Sequence, residues 1–517
     1  MKSALTICVL LFILFGGDVV RADAYRIAVI VGNNRAATAD LDDLQFADDD
    51  AFKYHHFLMY LTNESVLLAR PDAESSPLYK GEQSVPPTRD NVLAALDETV
   101  STALARANNG DEVTVYFIFS GHGTYDAEGR GYLHLEDGKL TTRDLFYRLI
   151  GPSRDFNLIL LIDACNASFL VQSRGQPATD RRPVGKSTLN LEDYPNVGLI
   201  LSASAIGEVK EWGRYLSGIF SHQVRSALSG VADLDGDQQI TYQELASFIA
   251  AANQDVDNPA LRLKPYIRPP LGTPEQPVVD LTRSTFPREL EVTFKSSSRI
   301  TIFNSNLVRF ADFHVASGYP LSIFLPSGTM FLQVGKHTEY VIPEALTGKF
   351  DLSALETRDS EVLSARGIDA YFVERLYAQP YSAAFANDYL SGTYQQELVF
   401  ERTVQQPWYE NGLAWSLVGP GLALLTSTGA LQLAAASERA AALTTQFADE
   451  RNQYNRHIDS LNTWSIATAI VGAAALAAGT TLFFVHTPVE KIAVIPEVGP
   501  GIRLAPSIGG LTLDKRF

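Results

Sequence analysis

Cysteine is almost missing from this chain: its 517 residues contain only Cys8 and Cys165. Cys8 lies in an apolar run, Leu5 to Phe15, that follows Lys2 and precedes the small residues Ala22 and Ala24. Those are the three parts of a secretory signal at residues 1–24, whose removal would start the mature chain near Tyr25. An anchor left uncleaved would put the next domain outside the cytoplasm as well. With Cys8 gone no internal disulfide can form, and a lone thiol in an oxidising compartment is either buried and inert or kept for its reactivity. Basic residues are also sparse: 42 Lys+Arg stand against 59 Asp+Glu, a net charge of -17, and no Lys/Arg-rich stripe interrupts the chain. Phosphate recognition needs such a footprint, so the balance argues against a nucleic-acid binder. A charged fraction of 20% and a mean hydropathy near zero argue against a disordered or collagenous chain. The length calls for two or more domains.

What is present has an ordered layout. Four short apolar runs, Arg26 to Val31, Val113 to Phe119, Leu158 to Ile162 and Val197 to Leu201, lack the alternation of half-exposed strands and read as buried ones. Helical spacing fills Asp48 to Leu61, Asn91 to Ala107 and Thr141 to Ile150. Strands alternating with helices predict an α/β domain over residues 25–255, an open, mainly parallel sheet with helices on both faces. Prolines thicken over 256–285, which reads as an extended linker. Residues 286–400 begin with short β-rich runs separated by turn residues and are expected to hold a small all-β domain and a connecting region. Two charge-free stretches, 411–437 and 460–485, are each long enough to cross a hydrocarbon core of roughly 30 Å, and both are rich in the Gly and Ala that let membrane helices approach closely. A pair of buried soluble helices is the other reading. A tail at 487–517 completes the chain.

Two of the four strands run into polar signatures. Val113 to Phe119 leads into Ser120, Gly121, His122 and Gly123, and Leu158 to Ile162 leads into Asp163, Ala164, Cys165 and Asn166. In an open parallel sheet ligands bind beyond the carboxyl ends of the strands, so both signatures should open into one cleft. An imidazole beside a thiol lowers its pKa or takes its proton as attack begins, and can then protonate the leaving amine. The backbone N–H groups of Gly123 and Cys165 are the candidates for stabilising the oxyanion.

The strand, Ser120-Gly121-His122-Gly123, second strand, Asp163-Ala164-Cys165 sequence resembles the caspase-like cysteine peptidases, in particular the bacterial and metacaspase-type members of the peptidase C14 family. Leu44 to Ala51, with Asp49 and Asp50, is similar to the family's acidic first-helix motif, and Ser202-Ala203-Ser204 is similar to its later cleft segment. The resemblance implies peptide-bond hydrolysis with His122 and Cys165 as the catalytic pair and no cofactor required for it. It also implies a substrate pocket shaped by Asp163, Asp50, Ser202 and Ser204, whose two acids would accept Arg or Lys before the cut bond. The plainer readings are that Asp163 braces local backbone and that Asp50 favours a helix N-terminus. Asn166-Ala167-Ser168 stands where a His-Ser-Gly run is common in metacaspases, which bears on the subsite. The polar stretch Gln172 to Ser187 matches a loop that relatives cut in activating themselves, or is a solvated loop.

A second signal lies between two helical patterns. Asp233, Asp235, Asp237, Gln239, Thr241 and Glu244 occupy positions one, three, five, seven, nine and twelve of a calcium-binding EF-hand loop, with Gln238 where glycine normally makes the turn. Weak binding, or an acidic loop that holds no ion, is the other reading of this segment. With the resemblance, the expectation is an exported, membrane-anchored cysteine endopeptidase of the caspase type acting on peptide or protein substrates, with a candidate calcium site in its first domain. A catalytically inactive, calcium-binding scaffold at the cell envelope is the reading from another class.

Overall fold

The computed structural model describes residues 24–35, 42–126, 130–165, 167–170, 193–202, 211–258, 261–263, 265–335, 338–359, 368–390, 400–405, 412–445, 448–485, 489–494, 503–507 and 510–514. The signal segment, the loop from 172 to 187, Asn166 and Ser204 lie outside them.

The first domain is built on six strands: β1 (Ala24–Asn33), β2 (Glu64–Ala69), β3 (Glu112–Gly121), β4 (Asn157–Asp163), β5 (Val197–Leu201) and β6 (Tyr266–Arg268). Their order across the sheet is β6-β5-β4-β3-β1-β2, parallel throughout except for β6 at the edge. The expected open, mainly parallel sheet is therefore present. Side chains alternate between its faces every second residue. Ile27, Val29, Val31, Val115, Phe117, Phe119, Leu158, Leu160 and Ile162 share one buried cluster with α2 (Arg89–Asn108), while Ala28, Ile30, Tyr116, Ile118, Ile159, Leu161 and Ile200 share another with α1 (Ala47–Leu58), α3 (Ile219–Ser226) and α4 (Tyr242–Ala252). Burial on both faces explains why these strands read as continuous apolar runs. Each fully buried aliphatic or aromatic side chain contributes about 1.5–3 kcal/mol.

The proline-rich stretch supplies β6, which pairs antiparallel with β5, and Val279–Asp280, which pairs with Gln239–Ile240. Beyond it, a three-stranded sheet and a five-stranded sheet span Arg288 to Asp359, followed by short helices Ile368–Arg375 and Ala383–Leu390. Leu290, Ile300, Phe313, Ile323 and Tyr381 belong to the same buried cluster as α1, α3 and α4, so one continuous core runs through the first domain and the β-domain. His222 on α3 joins them through polar groups: its Nε2 donates to Asp312 Oδ2 at 2.9 Å, both side chains being buried. Burial pushes the His222 pKa down to about 4, which keeps the ring neutral at physiological pH.

A second compact unit, residues 399–495, is a helical hairpin. Helices α5 (Gly412–Thr444) and α6 (Ala448–Val485) pack so closely that a Cβ at Gly472 would lie 3.0 Å from Gly421 O, and one at Gly479 would lie 2.9 Å from Ala414 O. Both helices are long and apolar enough to cross a membrane. Leu433, Trp464, Ile466 and Ile470 are exposed along them. Phe400–Gln405 and Val489–Val494 pair antiparallel where the chain enters and leaves this hairpin.

Candidate active site

The sheet changes direction of winding between β1 and β3, with β2 on one side and β3, β4 and β5 on the other, and it is beyond such a reversal that a crevice opens. The register decides what meets there. Ser120 on β3 pairs with Asp163 on β4, so His122 and Cys165, each two residues further on, leave adjacent parallel strands at the same level. The two loops touch: a Cβ at Gly123 would lie 2.3 Å from Cys165 O and 3.2 Å from Ala164 Cβ, so only glycine permits this approach. His122 and Cys165 are both largely buried, and Cys165 forms no disulfide.

The His122 ring is held from one end. Its Nε2 lies 3.0 Å from the carbonyl oxygen of Asp42, an acceptor only, so Nε2 carries the proton in the neutral ring and Nδ1 is the basic nitrogen. Burial lowers the His122 pKa, with the Asp42 carbonyl and the Asp43 charge opposing it. His134 stands edge-on to this ring at 5.8 Å between centroids, is fully buried, and is kept neutral by burial, its pKa pushed down to about 4. Its backbone N–H donates to His122 O at 2.9 Å, and Asn33 Nδ2 donates to His134 O at 3.0 Å, which ties the histidine loop to the end of β1. Neither Asn33 nor His134 follows from a motif; their only sequence signal is a polar residue at the end of an apolar run.

The acidic motif forms the first turn of α1, and its three carboxylates face different partners. Asp48 accepts from Asn34 Nδ2 at 2.8 Å and Asp72 N at 3.0 Å. Asp49 accepts from Ser75 Oγ at 3.0 Å and Tyr79 O–H at 2.8 Å; burial raises its pKa to about 6. Asp50 is buried toward the end of β3, accepting Ser120 Oγ at 3.3 Å, Gly218 N at 2.9 Å, Arg225 Nη1 at 3.0 Å and the Ser217 hydroxyl. The free N–H groups at the start of α1 are met from elsewhere: Glu211 accepts from Phe46 N at 2.8 Å and Asn34 Oδ1 accepts from Ala47 N at 2.7 Å. Burial pushes Glu211 up to about 7.

Asp163 and Asp50 meet across Gly218, where a Cβ would lie 2.8 Å from Asp163 Oδ2 and 3.1 Å from Asp50 Oδ2. Asp163 accepts from Ser221 Oγ at 2.6 Å and Ser221 N at 3.2 Å. Burial, reinforced by the Asp50 charge, raises its pKa to about 6. Ser202 donates its hydroxyl to Ala164 O at 3.3 Å and its N–H to Ile162 O at 2.9 Å, which places it beside the Cys165 loop. Arg225 is a further residue that sequence reasoning missed: its guanidinium lies over the Tyr54 ring at 4.8 Å and pairs with Asp50 inside the protein. Nothing in its helical context marks it apart from the other arginines.

In the acidic loop, ligand oxygens of Asp233, Asp235 and Asp237 lie within 4.8 Å of one another. Gln238 adopts φ +62, so the turn normally made by glycine forms without it. Three carboxylates therefore suit a hard cation with oxygen ligands. Glu244 faces backbone instead, Oε1 accepting from Leu234 N at 2.9 Å and Oε2 from Thr241 N at 2.8 Å in a capping box, and Gln239 Nε2 donates to Asp237 Oδ2 at 3.1 Å.

The caspase domain model of the peptidase C14 family matches residues 25–268. Among solved structures, caspase-1 from Spodoptera frugiperda is similar at 11% identity, covering 48% of this chain and 89% of that one with a TM-score of 0.29. A structural-genomics protein from Geobacter sulfurreducens is similar at 14% identity over 47% and 92%, TM-score 0.29. The pro-form of the Spodoptera caspase gives 10% identity over 48% and 87%, TM-score 0.28. No curated protein matches the chain.

Proposed function

Residues 25–268 are a caspase domain, and from that premise we propose that the protein is a cysteine endopeptidase that cuts after Arg or Lys with His122 and Cys165. The observation that carries this reading is the register of β3 and β4, which brings the two signatures to adjacent strand ends with Gly123 against Cys165. In it, His122 Nδ1 takes the thiol proton while Nε2–H stays on the Asp42 carbonyl, which keeps the ring oriented through the transfer. The thiolate adds to the carbonyl carbon before the scissile bond, and the charge on oxygen falls to the Gly123 and Cys165 N–H groups. His122 then protonates the departing amine, and water hydrolyses the acyl-enzyme.

The substrate cation goes to the acids around Gly218. Arg225 already holds Asp50, so Asp163 is the carboxylate that the incoming side chain meets, with Asp50 and the hydroxyls of Ser202 and Ser204 completing the pocket. Asp163 ionises near pH 6, so it is charged at neutral pH and suits a guanidinium or ammonium.

Calcium belongs to the same proposal, held by Asp233, Asp235, Asp237 and the Gln239 carbonyl, with Glu244 leaving its capping box to join them; calorimetric titration with calcium tests it. The domain acts outside the cytoplasm, anchored by α5 and α6. The length of these helices and their exposed apolar side chains support a membrane hairpin.

A peptide panel with Arg, Lys, Asp or Asn before the cut bond, run on the wild type and on Cys165→Ala with and without calcium, tests the function. Cleavage confined to Arg and Lys and lost in Cys165→Ala is expected. Indifference between Arg and Asp would remove the pocket assignment. Activity persisting in Cys165→Ala would remove the nucleophile, and no cleavage of any peptide by the wild type would favour the inactive scaffold.

A further inference from the structure

A cavity of about 450 Å³ lies between the turn at 212–215 and the β-domain, well within the size range of ligand sites. One wall comes from the caspase domain through Trp212, Arg214 and Tyr215; the other comes from residues 297–301, 309–314, 333–335 and the 368–375 helix, all beyond the region that the family model matches. It is therefore a site that only the appended domain completes.

Its chemistry runs against that of the rest of the protein. Three guanidinium groups line it, Arg214, Arg299 and Arg309, against the single carboxylate of Asp312, in a chain of net charge -17. Arg309 is paired with Asp312, which also receives His222. Arg299 donates to the carbonyl oxygens of Val373 and Glu374, neutral acceptors that leave its charge in place. Asp255 and Glu374 act on Arg299 electrostatically but do not line the cavity. The His314 ring is engaged by Tyr377 O at 3.0 Å and Ser297 Oγ at 2.9 Å, and burial lowers its pKa. The lining thus sums to three positive charges and one negative. Beside them stand aromatic faces: Trp212 is packed edge-on to Tyr215 at 4.5 Å and lies 5.4 Å from Phe372. Cationic forks next to aromatic walls recognise a carboxylate carried on an apolar body.

The location selects the ligand further. Trp212 pairs with Ser217 across a two-stranded ladder, and Ser217 and Gly218 bond Asp50. One strand spacing, about 5 Å, separates the cavity wall from the residues that hold the substrate acids.

We propose that this cavity is an exosite for an acidic peptide segment of the substrate, with Arg214 and Arg299 binding its carboxylate and Trp212 and Phe372 flanking its apolar neighbour. This rests on the peptidase reading for the identity of the ligand, but the binding itself does not need catalysis. The test is fluorescence anisotropy on the full-length Cys165→Ala protein in detergent, with a labelled peptide Ac-Leu-Glu-Phe-Asp-amide and its Gln/Asn counterpart. The acidic peptide should bind at least tenfold more tightly, lose tenfold or more in Arg214→Gln and Arg299→Gln, and weaken as salt rises. Gln333→Glu, which adds a negative charge to the lining without removing an arginine, should weaken it similarly, and thermal unfolding of each variant separates lost binding from lost fold. Equal affinity for the neutral peptide, or unchanged affinity in folded Arg214→Gln and Gln333→Glu, would overturn the exosite. A protein that binds the acidic peptide yet cleaves nothing as the wild type would instead retain the exosite and refute the peptidase reading.

Discussion

Asp163 offers a prediction in which stability and function pull in opposite directions. Its carboxyl is buried, and desolvation together with the Asp50 charge raises its pKa from 3.8 to about 6. Below pH 3.8 it is protonated in both the native and the unfolded chain. Between 3.8 and 6 the native chain keeps the proton while the unfolded chain loses it, so stability falls as pH rises through this window. Above 6 the whole cost of an ionised Asp163 is present. At ~1.4 kcal/mol per pH unit that cost is on the order of 3 kcal/mol. Asp163→Asn keeps the shape and can still accept from Ser221, so it should be more stable than the wild type at pH 7.5 by up to ~3 kcal/mol, a gain that disappears near pH 4. Asp49 and Glu211 also titrate high, near 6 and 7. They are common to both proteins and cancel when the two are compared at one pH. Urea-dependent pulse proteolysis at pH 4 and 7.5 gives the two differences, and cleavage of an Arg peptide should drop tenfold or more in the same variant. A stability difference that is flat with pH, or a variant less stable at pH 7.5, would refute the argument that Asp163 is a strained, functional charge.

Arg225→Met leaves Asp50 buried without its cation and should cost about 3–5 kcal/mol, read as a lowered midpoint in the same assay; Asp50→Asn added to it should recover part of the loss. Gly198→Ala puts a Cβ 1.9 Å from the Tyr242 hydroxyl and should destabilise by about 1–3 kcal/mol, whereas a neutral outcome would mean that α4 shifts freely on β5. Because burial lowers the His122 pKa, the acid limb of kcat/KM, measured in Asp163→Asn, Asp49→Asn and Glu211→Gln to separate it from the carboxyls that titrate near 6 and 7, should have its midpoint below 6.5. A midpoint above 7 would contradict a buried, neutral base.

The sheet and the two signatures were legible because strands buried on both faces leave uninterrupted apolar runs, and because the polar residues that end them break those runs abruptly. The acidic loop was legible from ligand spacing, and the left-handed Gln238 shows that the turn forms with a side chain in place. Other features depend on partners distant in sequence. Arg225 reads as one more helical arginine until α3 is laid against Asp50, 175 residues away. His134 has no spacing relation to His122 and meets it only through pairing of the 123–125 and 131–134 strands. The prolines of 256–285 signalled extended chain, which is what an edge strand needs, but edge pairing with β5 leaves no mark in composition. The short β-rich runs of the β-domain likewise say that strands form without saying that α3 packs against them.

The central claim is that His122 activates Cys165 across the ends of β3 and β4. Its most direct measurement is the rate of iodoacetamide alkylation of Cys165, located by mass spectrometry, against pH in the wild type and in His122→Ala. The account predicts rapid alkylation at pH 6–7 that slows at least tenfold in His122→Ala; a Cys165 that reacts like a free peptide thiol in both proteins would contradict it.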